Sequence, residues 1–191
     1  MIHRIKEALS NLSQAMESLL EEQAQELQKA VDLVYQTLKG GNKILLFGNG
    51  GSASQAQHLA AEFINRLKIE RKALPALALN TDGSVLTSIG NDRDFSLIFS
   101  RQIEALGSKG DLAWALTTSG NSPNVIEGLK KAREKKMRTL LFTGGEGGKA
   151  KELAHVVLRI PLAEVPRIQE LHLFLGHLIC EFVEAKFYGE D

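Results

Sequence analysis

With 191 residues, 43% of them hydrophobic and 24% charged, the chain can bury one sizeable core and is too short for two comfortable domains. Lys+Arg and Asp+Glu number 23 each, so no net field draws it to nucleic acid or an anionic membrane surface. The one cysteine, Cys180, has no partner for an intrachain disulfide and reads as core filling.

Residues 1–40 read as helix. Met1–Leu20 and Gln23–Leu38 place apolar residues at helical spacing (Leu9, Leu12, Met16, Leu19; then Leu27, Val31, Val34, Tyr35, Leu38), which predicts a helical pair. Gly40-Gly41 stops it. Such an arm packs on its own domain or supplies a subunit interface. Its Glu, Gln and Lys exclude the apolar stretch of a signal peptide, and no apolar run nears the ~18 residues of a membrane span. The cytoplasm is the expected compartment.

From residue 43 the rhythm changes to short apolar runs alternating with helical stretches. Strands are predicted at Lys43–Phe47, Pro75–Leu79, Leu112–Leu116, Thr139–Phe142 and Val156–Ile160. Helices are predicted at Ser54–Arg66, Gly83–Ile89, Phe95–Leu106, Ser122–Lys135, about Lys149–Ala154, and Ile168–Phe187, with Gly90-Asn91-Asp92 as a turn. This alternation gives an α/β fold, a parallel sheet of five strands flanked by helices on both faces, in one domain over 1–191.

In an open parallel sheet, ligands bind beyond the carboxyl ends of the strands. Two loops expected there are rich in small hydroxyl and amide residues: Gly48-Asn49-Gly50-Gly51-Ser52-Ala53-Ser54 and Thr117-Thr118-Ser119-Gly120-Asn121-Ser122-Pro123-Asn124. Each leads into a helix N-terminus, where free N–H groups and the helix dipole favour an anion. Pro123 suits the first helical position, leaving Ser122 as the cap. Together they form a phosphate cradle without Lys or Arg. The first loop also fits a loose dinucleotide fingerprint, but Glu70 precedes the second strand, whereas the ribose-binding acid should end it. A P-loop fails, because Thr143 and Ala150 stand where Gly and Ser/Thr are required.

Among ionisable groups, His58 and Glu62 lie four apart and share one helix face. That pattern holds a metal or lets one group orient the other for proton transfer, and it also occurs on ordinary solvated faces. Gln169, His172 and His177 interrupt the apolar last helix. At 100° per residue His177 lies about 80° from Gln169 and His172 about 60° the other way, so periodicity does not choose between the histidines.

Taken together, GNGGS at Gly48–Ser52, His58-x-x-x-Glu62, Gly90-Asn91-Asp92, Thr118–Ser122 and Arg167-Ile168-Gln169-Glu170-x-His172 resemble the phosphoheptose isomerases, from about Gly41 to the C-terminus. The resemblance implies a three-layer SIS (sugar isomerase) fold assembled as a homotetramer. It implies Zn²⁺ held by His58, Glu62, Gln169 and His177, with His172 left to packing or support. Substrate contacts would fall on Asn49, Gly50, Gly51, Ser52, Glu62, Arg66, Asn91, Asp92, Thr117, Thr118, Ser119, Ser122 and Gln169. Thr117 stands where many members have Ser, keeping the hydroxyl. The implied reaction converts sedoheptulose 7-phosphate to D-glycero-D-manno-heptose 7-phosphate through an enediol, a step toward cell-surface heptose in lipopolysaccharide, with Glu62 and His177 as catalytic groups. The chain also resembles a protein of the same fold that binds the replication initiator, and SIS modules that sense a phosphosugar. In the initiator-binding relative, the positions of Glu62 and His177 are not kept as acid and imidazole.

Overall fold

The computed structural model describes residues 1–189, the side chain of Leu20 apart; the last two residues of the expected 1–191 domain lie outside the described residues. Five strands, β1 (Ile44–Gly48), β2 (Ala76–Ala78), β3 (Leu112–Thr117), β4 (Arg138–Gly144) and β5 (Val156–Ile160), form one sheet. Its order is β2-β1-β3-β4-β5, and every neighbouring pair is parallel. The central strands β1 and β3 are buried along their whole length, which explains their unbroken apolar runs. The edge strand β5 alternates instead.

Among the described residues six α-helices accompany the sheet: α1 (Ile2–Lys39), α2 (Gly51–Ile64), α3 (Gly83–Asp92), α4 (Ile98–Leu106), α5 (Pro123–Glu134) and α6 (Val165–Tyr188). Short 3₁₀ turns occupy Phe95–Leu97 and Lys149–Leu153. Strand alternation divides the core in two. Leu46, Trp114 and Phe142 face α1, α2 and α6, meeting Val34, Phe63 and Ile179. Leu45, Phe47 and Ala115 face the other way, against Phe99 of α4 and Leu129 of α5. Trp114 and Phe142 stack edge-on at 5.1 Å between ring centroids. Burying each such side chain contributes roughly 1.5–3 kcal/mol, and this is what fixes the helices on the sheet.

Three boundaries depart from the sequence reading. The predicted N-terminal pair is one helix of 38 residues, because Glu21-Glu22 between the two stretches are good helix formers and no Gly or Pro interrupts them. Helix α2 starts at Gly51 rather than Ser54, since Gly50 takes φ +52° and turns the chain within two residues of β1. Gly90-Asn91-Asp92 is not a turn but the last turn of α3. The break comes at Asp94, whose carboxylate accepts from Ser96 N–H at 2.7 Å.

Candidate active site

At the carboxyl edge of the sheet, the loops after β1 and β3 are stitched together by paired amides. Asn49 and Asn124 each donate to the other's side-chain oxygen at 2.8 Å, and Asn124 also accepts from Val125 N–H at 2.9 Å. Asn80, after β2, donates to the Gly48 carbonyl at 2.8 Å. Gly120 faces the loop after β4 so closely that an added Cβ would lie 1.9 Å from the Gly147 oxygen. The first turns of α2 and α5 therefore stand at fixed positions beside each other.

Between them lies a cavity of about 280 Å³ walled by Asn49, Gly50, Gly51, Ser52, Thr117, Thr118, Ser122 and Gln169, with Leu116 and Val165. Among the described residues no cationic side chain lines it, so an anion would be held by N–H groups, hydroxyls and two helix dipoles. Ser122 occupies the cap position and Pro123 the first helical one, as the spacing predicts. Ser122 makes no capping bond, and its hydroxyl instead lies 3.3 Å from that of Thr117. Ser119 is exposed and outside the cavity lining, its Oγ accepting from Asn121 N–H at 3.2 Å.

Farther along α2, His58 and Glu62 meet His177 of α6. Their nearest ligand atoms all lie within 4.8 Å of one another. His58 Nε2 is 2.8 Å from His177 Nε2 and 3.5 Å from Glu62 Oε1. Burial, then the neighbouring His58, lower the pKa of His177 against the opposing pull of Glu62, so His177 is neutral near pH 7. A tetrahedral Zn²⁺ with bonds of about 2.0–2.1 Å needs ligand atoms roughly 3.4 Å apart. Glu62 stands near that spacing from His58, and the two imidazoles are about 0.6 Å closer than it requires.

The two histidines of α6 face different surroundings. His172 is fully buried, its Nε2 3.2 Å from the Thr143 carbonyl, and burial pushes its pKa down to about 4 despite that bond. It faces the core. Gln169 sits about 12 Å along the helix axis from His177, its amide against Gly51 in the anion cavity. Three predicted ligands thus converge, whereas the fourth, Gln169, lines the anion cavity. Arg66 points outward to Glu70 at 3.2 Å. Asn91 and Asp92 bond each other at 2.8 Å, and Asp92 lines a separate cavity of about 570 Å³ beside β2. None of these three lines the 280 Å³ cavity of the same chain.

Sequence reasoning passed over Asn80, Asn124 and Gln55, which position the loops; Gln55 donates to the Gln169 carbonyl at 2.5 Å. It also passed over a buried pair, Arg71 and Glu184. For Glu184 the one available signal was an acid on the apolar side of a helix.

A doubly covered parallel sheet with an anion cradle at its carboxyl edge defines the class of SIS-domain proteins, and residues 9–144 match the SIS domain family. The chain is 49% identical over 184 residues to the phosphoheptose isomerase of Aquifex aeolicus, covering 96% of each. Its fold matches phosphoheptose isomerase GmhA from Neisseria gonorrhoeae with a TM-score of 0.91 at 39% identity, covering 96% of this chain and 98% of that one. A phosphoheptose isomerase from Francisella tularensis gives 0.92 at 31%, covering 95% and 97%. The chain belongs to the phosphoheptose isomerase family and is an isomerase.

Proposed function

We propose that the chain interconverts sedoheptulose 7-phosphate and D-glycero-D-manno-heptose 7-phosphate. The observation that carries the reading is the convergence of His58, Glu62 and His177 on the same two helices that wall an anion cavity. The phosphate sits among the N–H groups of Gly50, Gly51 and the Ser119–Ser122 loop, with Ser52, Thr117, Thr118 and Ser122 offering hydroxyls. Gln169 and Asn49 orient the sugar oxygens. Glu62 takes the proton from C1 and returns it to C2, the enediol lying between the two transfers. The neutral imidazole of His177 accepts the proton of the C1 hydroxyl, and the C2 oxygen receives one in turn, so that charge balances. Arg66, Asn91 and Asp92, which do not line that cavity in the same chain, reach the sugar from a neighbouring copy in this reading.

In this reading His58, Glu62 and His177 would hold Zn²⁺, Glu62 and His177 each through an atom other than the one that moves a proton, with Gln169 the fourth ligand that the resemblance implies. The ion supplies Lewis-acid polarisation of substrate oxygens when bound. A homotetramer is supported by the exposed stripe Ile2, Ile5 and Leu9 on α1 and by Phe174 and Phe182 on α6, apolar surface that a second copy would cover. Among the described residues no helix is long and apolar enough to cross a membrane, and the cytoplasm is the compartment this reading assigns. A module that only binds the replication initiator or senses a phosphosugar has no use for an acid and an imidazole held together.

The test is turnover of sedoheptulose 7-phosphate before and after chelation, with metal analysis alongside. Activity lost on chelation and restored by Zn²⁺ is expected, and full activity in metal-free protein would remove the ion from the reading. Glu62→Gln should abolish turnover while leaving the substrate's phosphate bound, and normal turnover would remove Glu62 as the base.

A further inference from the structure

Besides the cluster, the loop that follows α2 meets α6 through charged groups, Lys68 with Glu181 and, buried, Arg71 with Glu184. Arg71 and Glu184 bond at 2.8 Å with both side chains 2% exposed. Glu184 Oε1 accepts from Arg71 Nε and from Leu67 N–H at 3.1 Å. Its Oε2 accepts from Lys68 N–H at 2.7 Å and Ile69 N–H at 3.0 Å. The guanidinium then reaches back into the last turn of α2: Nη2 donates to the Glu62 carbonyl at 2.7 Å and Nη1 to the Phe63 carbonyl at 2.8 Å. Carbonyls in a last turn have no partner within their own helix, so Arg71 caps α2 at the residue that carries the site's carboxylate. Seven residues separate His177 from Glu184, two turns of α6, so both lie on the same face.

We infer that Arg71 and Glu184 are positioning residues for the isomerase site, a clamp that sets the separation of α2 and α6 where His58 and Glu62 confront His177. A buried ion pair is weak support for stability, because apolar residues of similar size often serve as well. What apolar residues do not supply is the pair of directed bonds to Glu62 and Phe63. The clamp therefore acts on geometry: with the C-terminal end of α2 free to shift by a fraction of an ångström, the three ligand atoms lose their spacing while the anion cavity, at the other end of α2 and stitched by Asn49 and Asn124, keeps its own. The inference rests on the isomerase reading above and deepens it.

Arg71→Lys keeps the charge opposite Glu184 but does not reach both carbonyls. At 20 °C, in protein shown to be folded by circular dichroism, kcat for sedoheptulose 7-phosphate is expected to fall about 10-fold or more, and affinity for Zn²⁺, measured by competition with a chromophoric chelator, by about 10-fold. KM should stay within about twofold of wild type. Glu184→Gln, similar in shape and uncharged, is the second variant and should show the same split. A pair that served only stability would lower the melting temperature and leave kcat and Zn²⁺ affinity of the folded protein unchanged. That result, or a change confined to KM, overturns the inference, as does failure of both variants to fold, which would make the pair an element of folding alone. The metal arm is independent of turnover, so a wild-type protein that binds Zn²⁺ but does not act on this sugar sinks the functional reading and still tests the clamp.

Discussion

Gly120→Ala is the sharpest test of how the phosphate cradle is built. Gly120 has φ +64°, and a Cβ there would stand 1.9 Å from the Gly147 oxygen and 2.4 Å from its carbonyl carbon. Since real Cβ contacts essentially never fall under 3.0 Å, the two loops must separate by about 1 Å. They have little freedom to do so, because Ala150 N–H donates to the Gly120 carbonyl at 2.9 Å and Lys149 N–H to Asn121 Oδ1 at 3.0 Å. The left-handed backbone alone costs a side chain roughly 1–2 kcal/mol, and one strained or lost loop bond adds about 1 kcal/mol. For a chain of this size, about 2–3 kcal/mol lowers Tm by roughly 4–12 °C. Moving one donor out of reach of a charged phosphate removes about 1.5–3 kcal/mol of binding, which raises KM about 10-fold or more. The α2–α6 cluster lies outside the strained contact, so kcat should fall less than KM rises. Differential scanning fluorimetry and initial rates with sedoheptulose 7-phosphate check both numbers. A Tm within about 1 °C of wild type together with an unchanged KM would refute the account.

Two further outcomes follow from placements already described. Ser122→Ala should raise KM several-fold while Ser119→Ala changes it little, because Ser122 alone of the two walls the cavity; equal effects would mean that the loop closes differently around the sugar. Stability should fall with acid in a way that His172 sets. Its folded pKa of about 4 lies below the ordinary 6.5, so the unfolded chain takes the proton first. The contribution is complete above about pH 6.5 and disappears toward pH 4, a loss of about 3 kcal/mol. Urea unfolding at several pH values should show that slope, and His172→Gln, which still donates to the Thr143 carbonyl, should flatten it; an identical slope in the variant would count against it.

The buried Glu184 works in the opposite direction. Burial disfavours its charge, but the N–H groups of Lys68, Leu67 and Ile69 and the Arg71 side chain outweigh that and hold its pKa below the ordinary value. Its contribution is therefore present above the ordinary carboxylate range and is lost as the pH falls through the lowered one. Acid thus weakens the fold at two points of α6, its core face at His172 and the clamp at Glu184.

Local pattern was enough to specify the order of strands and helices, the buried character of β1 and β3, and the two hydroxyl-rich loops, because alternation and 3.6-residue spacing are properties of neighbours in the chain. The same reasoning put His58 and Glu62 on one face. It did not say what lay opposite, since helical spacing describes a segment's own sides and not the segment that will cover them. His58 meets His177 across 119 positions, Asn49 meets Asn124 across 75, and Arg71 meets Glu184 across 113. These pairings exist only once the sheet has set α2 beside α6 and the β1 loop beside the β3 loop. The resemblance singled out His177, and the packing supplied the cause: His172 turns into the core against Thr143, while His177 turns to the seam.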